Sequence, residues 1–393
     1  MSSHLMNTYA RLPVSFARGE GVWLWDESGK RYLDALAGIA VSGLGHGHPK
    51  LVRAIAEQAA RVIHTSNLYE IRTQSELADR LCALAGMDEA FFCSSGAEAN
   101  ECAIKLARYY AHHNGVPNAA IVVMEHAWHG RTLATLSATG SRKAQAGFEP
   151  LVPGFVRVPF ADEHAVRQAA AANPNIAAVL VEVLQGEGGI NVASAEYVRA
   201  LRRICDEKQW LLMIDEVQSG IGRTGKWFGF QHADLQPDVI TLAKGLGSGV
   251  PIGACIAAGR ARGVLKPGSH GSTFGGGPLA CAAGLATLAA MEDEQLLENA
   301  ARMGELIRSG CRDALAGVAG VVEIRGLGLM IGIELDRPCG DLVRRALDAG
   351  LLINVTADRV VRLLPPLVIR EAEARELVAM LAALIRRFLG AGA

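Results

Sequence analysis

From about residue 90 the chain repeats one rhythm: a short apolar run, a glycine-bearing turn, then a helical pattern. The runs lie at 90–93, 120–124, 155–158, 178–181, 211–214, 239–242 and 254–258, with helical patterns at 97–113, 162–172 and 194–209. Continuous apolar runs, not alternating ones, suit strands buried on both faces. Their alternation with helices predicts a mainly parallel sheet covered by helices, an α/β fold. Ahead of this block, Val22-Trp-Leu-Trp25, Asp26-Glu-Ser-Gly29 and Arg31-Tyr-Leu33 predict a hairpin, and helices follow at 49–62 and 73–85. After the glycines at 275–277 come helices near 278–291 and 293–316, then short strands at 321–325, 329–335 and 360–364 with helices at 340–349 and 370–389. The expected organisation is an N-terminal segment, 1–45, packing with the small domain; a large cofactor-binding domain, 46–290; and a smaller C-terminal α+β domain, 291–393.

Composition narrows the classes. Half of the 393 residues are hydrophobic and a fifth are charged, which is ordinary for a globular chain with a sizeable core. The formal net charge of −1 gives no reason to expect a nucleic-acid or anionic-membrane partner. The eight cysteines are scattered without ligand spacing, so reduced thiols in a cytoplasmic protein are expected. The N-terminus carries no signal-peptide pattern, and no apolar stretch is long enough to span a membrane.

The candidate chemistry sits where apolar runs end. Leu211-Leu-Met-Ile runs into Asp215 and Glu216, and 239–242 leads to Lys244 followed by glycine. In α/β sheets ligands bind beyond the carboxyl ends of strands. Ser95, Gly96 and Ala97 follow run 90–93 at the start of a helix, where free N–H groups make an anion site; a plain N-cap with a glycine turn is the alternative. Trp128 in Glu125-His-Ala-Trp-His-Gly-Arg131 offers a ring for stacking, and Arg131 a fork for a carboxylate. His126 and His129 lack a third metal ligand at a motif spacing. Glu182 and Glu187, crowded with glycines after run 178–181, fit a general base or a solvated loop. Ser272 and Thr273 lie in a glycine–hydroxyl loop suited to phosphate, and Arg362 stands among apolar residues where it needs an anionic partner. Lys244 alone reads as a surface lysine. Joined to Asp215 it reads differently: a phosphate site, a stacking ring, an acid for a ring nitrogen and an amine for an aldehyde together describe pyridoxal 5′-phosphate.

Over its whole length the chain resembles the class-III aminotransferases, fold-type I pyridoxal-phosphate enzymes with a large, mainly parallel domain and a smaller α+β domain. The resemblance is carried by Gly43-Leu-Gly-His-Gly-His-Pro49, Ser95-Gly-Ala-Glu-Ala-Asn100, His129-Gly-Arg131, Gln185-Gly-Glu-Gly-Gly189, Asp215-Glu-Val-Gln218, Gly222-Arg-Thr-Gly225, Lys244, Gly271-Ser-Thr-Phe-Gly-Gly276 and Arg362. Within the family it is most similar to the acetylornithine branch, on its compact length, His64-Thr-Ser-Asn67 and Gly268-Ser-His-Gly-Ser-Thr273.

The resemblance implies that Lys244 bonds the cofactor aldehyde and shuttles the substrate proton, and that Asp215 pairs with the ring nitrogen. It implies that Val217 packs on the ring face opposite Trp128, that Gln218 contacts the ring hydroxyl, and that Gly96 and Ala97 hold the phosphate. Thr273 would reach the cofactor phosphate of a second subunit in a homodimer, with Ser272 near that subunit's substrate. Arg131 and Arg362 would bind substrate carboxylates, with Glu187 pairing Arg362 when no carboxylate is there. The implied reaction moves the δ-amino group of N2-acetyl-L-ornithine to 2-oxoglutarate, as in arginine biosynthesis. Succinylornithine, succinyldiaminopimelate or another ω-amino acid is the alternative donor, and an aminomutase the alternative reaction. A nucleotide-binding module is disfavoured, since neither GxGxxG nor a P-loop opens the first strand–helix unit. Trp128, Val183, Ala97 and Gly277 stand where the family commonly has phenylalanine, proline, threonine and asparagine.

Overall fold

The computed structural model describes residues 4–391; residues 1–3 and 392–393, the outer ends of the first and last expected units, lie outside the described residues. The chain opens with an antiparallel meander of β1 (Phe16–Glu20), β2 (Trp23–Asp26) and β3 (Arg31–Asp34). Asp26 makes the turn between the last two: its Oδ1 accepts the backbone N–H groups of Ser28 at 2.9 Å and Lys30 at 3.0 Å. The expected hairpin is therefore β2–β3. Strand β1 escapes the apolar pattern because Phe-Ala-Arg-Gly-Glu keeps an exposed, largely polar surface.

After β3 the backbone winds left-handed. Ala37, Gly38, Ile39 and Ala40 have φ of 49°, 63°, 66° and 63°. Such a run costs roughly 1–2 kcal/mol for each residue with a Cβ. Asp34 holds its entry, Oδ1 accepting from the backbone N–H of Leu36 at 2.9 Å and of Ala37 at 2.8 Å.

Next come β4 (Glu89–Cys93), β5 (Ala120–Met124), β6 (Phe155–Val158) and β7 (Ile176–Val181). A two-residue ladder, β8 (Leu184–Gln185) with β9 (Asn191–Val192), precedes β10 (Leu211–Asp215), β11 (Val239–Leu242) and β12 (Gly253–Ala257). Seven of these strands form one sheet in the order β4-β12-β11-β10-β7-β5-β6. They are the seven apolar runs of the sequence. All pairs are parallel except those of β12, which runs against both β11 and β4. Helix Gly96–His113 covers one face: Ile121, Val123, Leu211 and Met213 pack into a core with its Cys102, Ala103, Leu106 and Ala107. Val122, Val179, Leu212 and Ile214 point the other way, into the core shared with helix Ala195–Lys208. Both faces are dry, which is why the runs are apolar at every position.

Helices Pro278–Asp293 and Leu296–Ala314 lead to β13 (Val321–Leu327), β14 (Met330–Leu335), β15 (Leu351–Leu352), β16 (Asn354–Thr356) and β17 (Val360–Leu363). A second sheet has the order β13-β14-β17-β16, while β15 pairs in parallel with β3 of the opening meander. Helix Glu371–Leu389 closes the chain. Among the described residues no helix is long and apolar enough to cross a membrane.

Candidate active site

A cavity of about 610 Å³ opens beyond the carboxyl ends of the large sheet's parallel strands. Its wall takes residues 94–97 after β4, 128–131 after β5, Glu182 after β7, Asp215, Val217 and Gln218 after β10, Ala243 and Lys244 after β11, and 249–252 leading into β12. Strand ends as far apart in sequence as Cys93 and Leu242 thus meet at one place.

Ser95 is the N-cap of helix Gly96–His113. Its Oγ accepts the Glu98 N–H at 3.2 Å, while Glu98 Oε2 accepts the Ser94 N–H at 2.7 Å. That reciprocal cap leaves the N–H groups of Gly96 and Ala97 without an acceptor inside the helix, at its positive end and on the cavity wall. Glycine is needed at 96, because a Cβ there would meet Val217 Cγ1 at 2.6 Å.

Asp215 ends β10 and is almost wholly buried. Its Oδ2 accepts from Asn100 Nδ2 and from His129 Nδ1, each at 2.8 Å, and its Oδ1 accepts the Val217 N–H at 3.0 Å. Asn100 is fixed in turn by Thr241 Oγ1, which donates to Asn100 Oδ1 at 2.8 Å. The carboxylate is held from three sides while it borders the cavity. Glu216, the second acid after the run, turns away: its oxygens accept from Ser219 Oγ, Gly229 N–H and Phe230 N–H, and burial pushes its carboxyl up to about 7.

Lys244 adopts φ +44° directly after β11 and borders the cavity. Burial is the main cause that brings its ammonium down to about 8, and nearby Arg362 pushes the same way; the carboxylates of Glu187, Asp215 and Glu182 oppose it. Trp128 is placed by Glu182, whose Oε2 accepts the Trp128 N–H at 2.9 Å and whose Oε1 accepts the Gly186 N–H at 3.2 Å. Burial raises Glu182 to about 7. The Arg131 guanidinium lies 4.7 Å over the Trp128 ring.

Arg362 comes from β17 of the second sheet and is fully buried. Its Nη1 donates to Glu187 Oε1 at 2.5 Å and to Gln218 Oε1 at 3.3 Å, and its Nε to Asn354 Oδ1 at 3.0 Å. Its Nη2 has no partner among the described residues. Glu187 lines an adjoining cavity of about 850 Å³ that shares Trp128 with the first.

The structure therefore gathers Ser95, Gly96, Ala97, Trp128, Arg131, Asp215, Val217, Gln218 and Lys244 around one space, with Glu187 and Arg362 at its edge. It does not bring Ser272 and Thr273 there. Asn67 Nδ2 ties their loop down through Ser272 O and Gly275 O, both at 3.0 Å, and Thr273 is exposed. Asn100 is a functional residue whose role no motif marks in the sequence, and the carboxylate partner of His129 is Asp215, a contact no local spacing reveals. A polar residue among Ala99, Cys102 and Ala103 on the buried face of its helix is the available signal for Asn100.

The cavity suits pyridoxal 5′-phosphate. A helix terminus with free N–H groups faces phosphate chemistry, a fixed buried carboxylate suits a basic ring nitrogen, and a lysine of lowered basicity suits an aldehyde. These features on this sheet define a fold-type I pyridoxal-phosphate transferase. The family profile "Aminotransferase class-III" matches residues 5–385, and the chain belongs to that family of pyridoxal-phosphate-dependent enzymes. It is 62% identical over 389 residues to acetylornithine aminotransferase 1 of Bordetella bronchiseptica, covering 99% of both chains. Among solved structures it matches the ornithine aminotransferase of Toxoplasma gondii ME49 with a TM-score of 0.94 and 35% identity, covering 98% of this chain and 93% of that one. The acetylornithine aminotransferase of Elizabethkingia anophelis matches at TM-score 0.87 and 36% identity, with 98% and 97% covered.

Proposed function

We propose that this aminotransferase moves the δ-amino group of N2-acetyl-L-ornithine to 2-oxoglutarate, giving N-acetyl-L-glutamate 5-semialdehyde and L-glutamate, a step of arginine biosynthesis. The observation that carries the reading is the Arg362–Glu187 pair beside the cavity, with Arg131 at its rim. The reacting carbon of acetylornithine bears no carboxylate, whereas that of glutamate does. One site that serves both needs a cation that is masked for the first substrate and free for the second. Glu187 masks Arg362 in that way, and Arg131 takes the distal carboxylate of either substrate.

Pyridoxal 5′-phosphate, when bound, supplies an electron sink and a carbonyl that carries the amino group between the two substrates. Ser95, Gly96 and Ala97 would hold its phosphate, Trp128 and Val217 its two faces, Gln218 its ring hydroxyl and Asp215 its ring nitrogen. Asp215, steadied by Asn100 and His129, would keep a proton on that nitrogen. Lys244, its ammonium brought down to about 8, would take up and return the proton at the reacting carbon. Thr273, exposed on its own chain, would serve the phosphate of a second copy in a homodimer with shared sites, with Ser272 near that copy's substrate. The proposed units remain 1–45, 46–290 and 291–393, supported by the separate sheets and by the β3–β15 pairing that ties the first unit to the last. A cytoplasmic location is supported by the eight unpaired cysteines.

Steady-state constants for acetylornithine, succinylornithine, ornithine and 4-aminobutyrate, each with 2-oxoglutarate, test the reading on one preparation. Acetylornithine should give the highest kcat/KM. Turnover of acetylornithine without any 2-oxo acid would make the enzyme an isomerase instead, and sedimentation of a fully active monomer would remove the role of Thr273.

A further inference from the structure

The turn Gly222-Arg-Thr-Gly225 belongs to the resemblance but has no part in the chemistry described above. Arg223 within it is about as buried as a side chain can be, with 2% of its surface exposed. Among the described residues it forms no ion pair: burial lowers its guanidinium to about 9, and the charge of Asp34 opposes that. A buried cation without a direct counter-ion is expensive, so its contacts should matter elsewhere. Its Nη1 donates to Pro365 O at 2.5 Å and to Leu329 O at 3.2 Å, and its own carbonyl accepts the Leu329 N–H at 3.0 Å.

Leu329 immediately precedes β14 and Pro365 stands two residues after β17. The two strands are antiparallel, with Ile331 opposite Leu363 and Gly332 opposite Arg362, so both carbonyls lie at the same end of one ladder. Arg223 closes that end from the large domain's side. It also stands five residues after Gln218, on the connection that carries Asp215, Val217 and Gln218 into the cavity. The approach is tight: a Cβ on Gly328 would meet the Thr224 carbonyl carbon at 2.4 Å.

We infer that Arg223 is a positioning residue for Arg362: by clasping the β14–β17 ladder end to the loop after β10, it sets where the Arg362 guanidinium stands between Glu187 and an incoming carboxylate. The inference rests on the proposed reading of Arg362 as the anchor for the carboxylate on glutamate's reacting carbon. It gives the substrate that needs Arg362, a 2-oxo or 2-amino dicarboxylate, a dependence on Arg223 that the acylated donor lacks.

The test uses the loaded enzyme and reads binding as well as rate. Spectral titration with 2-oxoglutarate and with acetylornithine is run on wild type, Arg223→Lys, Arg362→Ala and the double variant, with the melting temperature and cofactor absorbance of each recorded. Displacing an anchoring group by even a fraction of an ångström should weaken the dicarboxylate about tenfold or more in Arg223→Lys, with little change for acetylornithine. In the Arg362→Ala background the second substitution should add nothing. Equal weakening of both substrates, or full additivity in the double variant, would show a merely structural residue and overturn the inference. If Arg362→Ala itself leaves 2-oxoglutarate affinity unchanged, the underlying reading of the site fails, and the inference fails with it. If Arg223→Lys unfolds, Arg223→Gln, which keeps a donor to one carbonyl, takes its place with the same two outcomes.

Discussion

His129 Nδ1 stands 2.8 Å from Asp215 Oδ2, and both side chains are nearly sealed from solvent. A carboxylate can only accept, so the imidazole presents Nδ1–H, and its buried Nε2 has no partner among the described residues. Together with Asn100, His129 fixes which way the carboxylate faces before any cofactor arrives. His129→Phe keeps the volume and deletes one hydrogen bond to a charged group, worth roughly 1.5–3 kcal/mol. If that bond acts on the reacting state, kcat should fall about ten- to a hundredfold. Stopped-flow half-reactions with acetylornithine would measure it. An unchanged first-order rate would mean that Asn100 and the Val217 N–H hold Asp215 without it.

The position of Lys244 leads to a pH dependence with a defined sign. Its ammonium is brought down to about 8, chiefly by burial, so below pH 8 the side chain is protonated and above it free to react with an aldehyde. The rate at which the apo form captures pyridoxal 5′-phosphate should therefore rise with pH and level off above about 8 to 9, following the lowered value and not the ordinary lysine range. The same lowering makes the unfolded chain bind more protons between pH 8 and the ordinary value of 10.5, so this group's cost to folding is fully present below pH 8 and relieved above it. Absorbance-monitored recombination from pH 6.5 to 9.5 checks the first point. A flat profile, or capture that borohydride can still fix in Lys244→Ala, would be incompatible with it.

How much of this was legible in the chain depended on distance along it. The seven strands of the large sheet were readable because both faces are buried and each run is apolar throughout. Their pairing order was not, since β12 running against its neighbours has no local signature. Asp215 and Lys244 were readable as strand-end residues. Asn100, over a hundred residues from Asp215 and inside a helix, became functional only through a hydrogen bond across the sheet. The left-handed turn at 37–40 was hidden for another reason: three of its four residues have a Cβ, and Ile39 is branched, so propensity argues against the conformation that Asp34 imposes.

The Arg362–Glu187 pair should behave as a switch between substrates. Glu187→Ala frees a buried guanidinium that keeps Gln218 and Asn354 but loses its ion pair with Glu187. Binding of 2-oxoglutarate should tighten, since no carboxylate has to be displaced. The acetylornithine half-reaction should slow, since an unmasked cation then faces an uncharged carbon. Substituting one partner of a buried charge pair changes binding by about 2–5 kcal/mol, enough for effects of tenfold or more in opposite directions. Separate half-reaction constants would resolve them. Loss in both half-reactions together would point to a collapsed pocket and not to unmasking.

Gly96 and Val217 form a contact that can be tested as a pair. An ideal Cβ on residue 96 would sit 2.6 Å from Val217 Cγ1 and 2.9 Å from Val217 Cγ2, distances at which one side must move. Val217 has limited freedom, because its N–H is held by Asp215 Oδ1 at 3.0 Å. Gly96→Ala should therefore push the first turn of helix Gly96–His113 away from the cavity and weaken the hold on a phosphate. Overpacking of this kind costs roughly 1–3 kcal/mol. If most of that strain falls on the cradle, cofactor affinity drops about five- to a hundredfold. Val217→Ala removes both methyl groups in question, so Gly96→Ala/Val217→Ala should recover most of the affinity, although Val217→Ala alone gives up a contact proposed for the cofactor ring. Equilibrium dialysis of pyridoxal 5′-phosphate against the three variants measures the recovery. A double variant no better than Gly96→Ala would mean that the loss does not come from the Val217 contact, and that Val217 does not set the depth of the cradle.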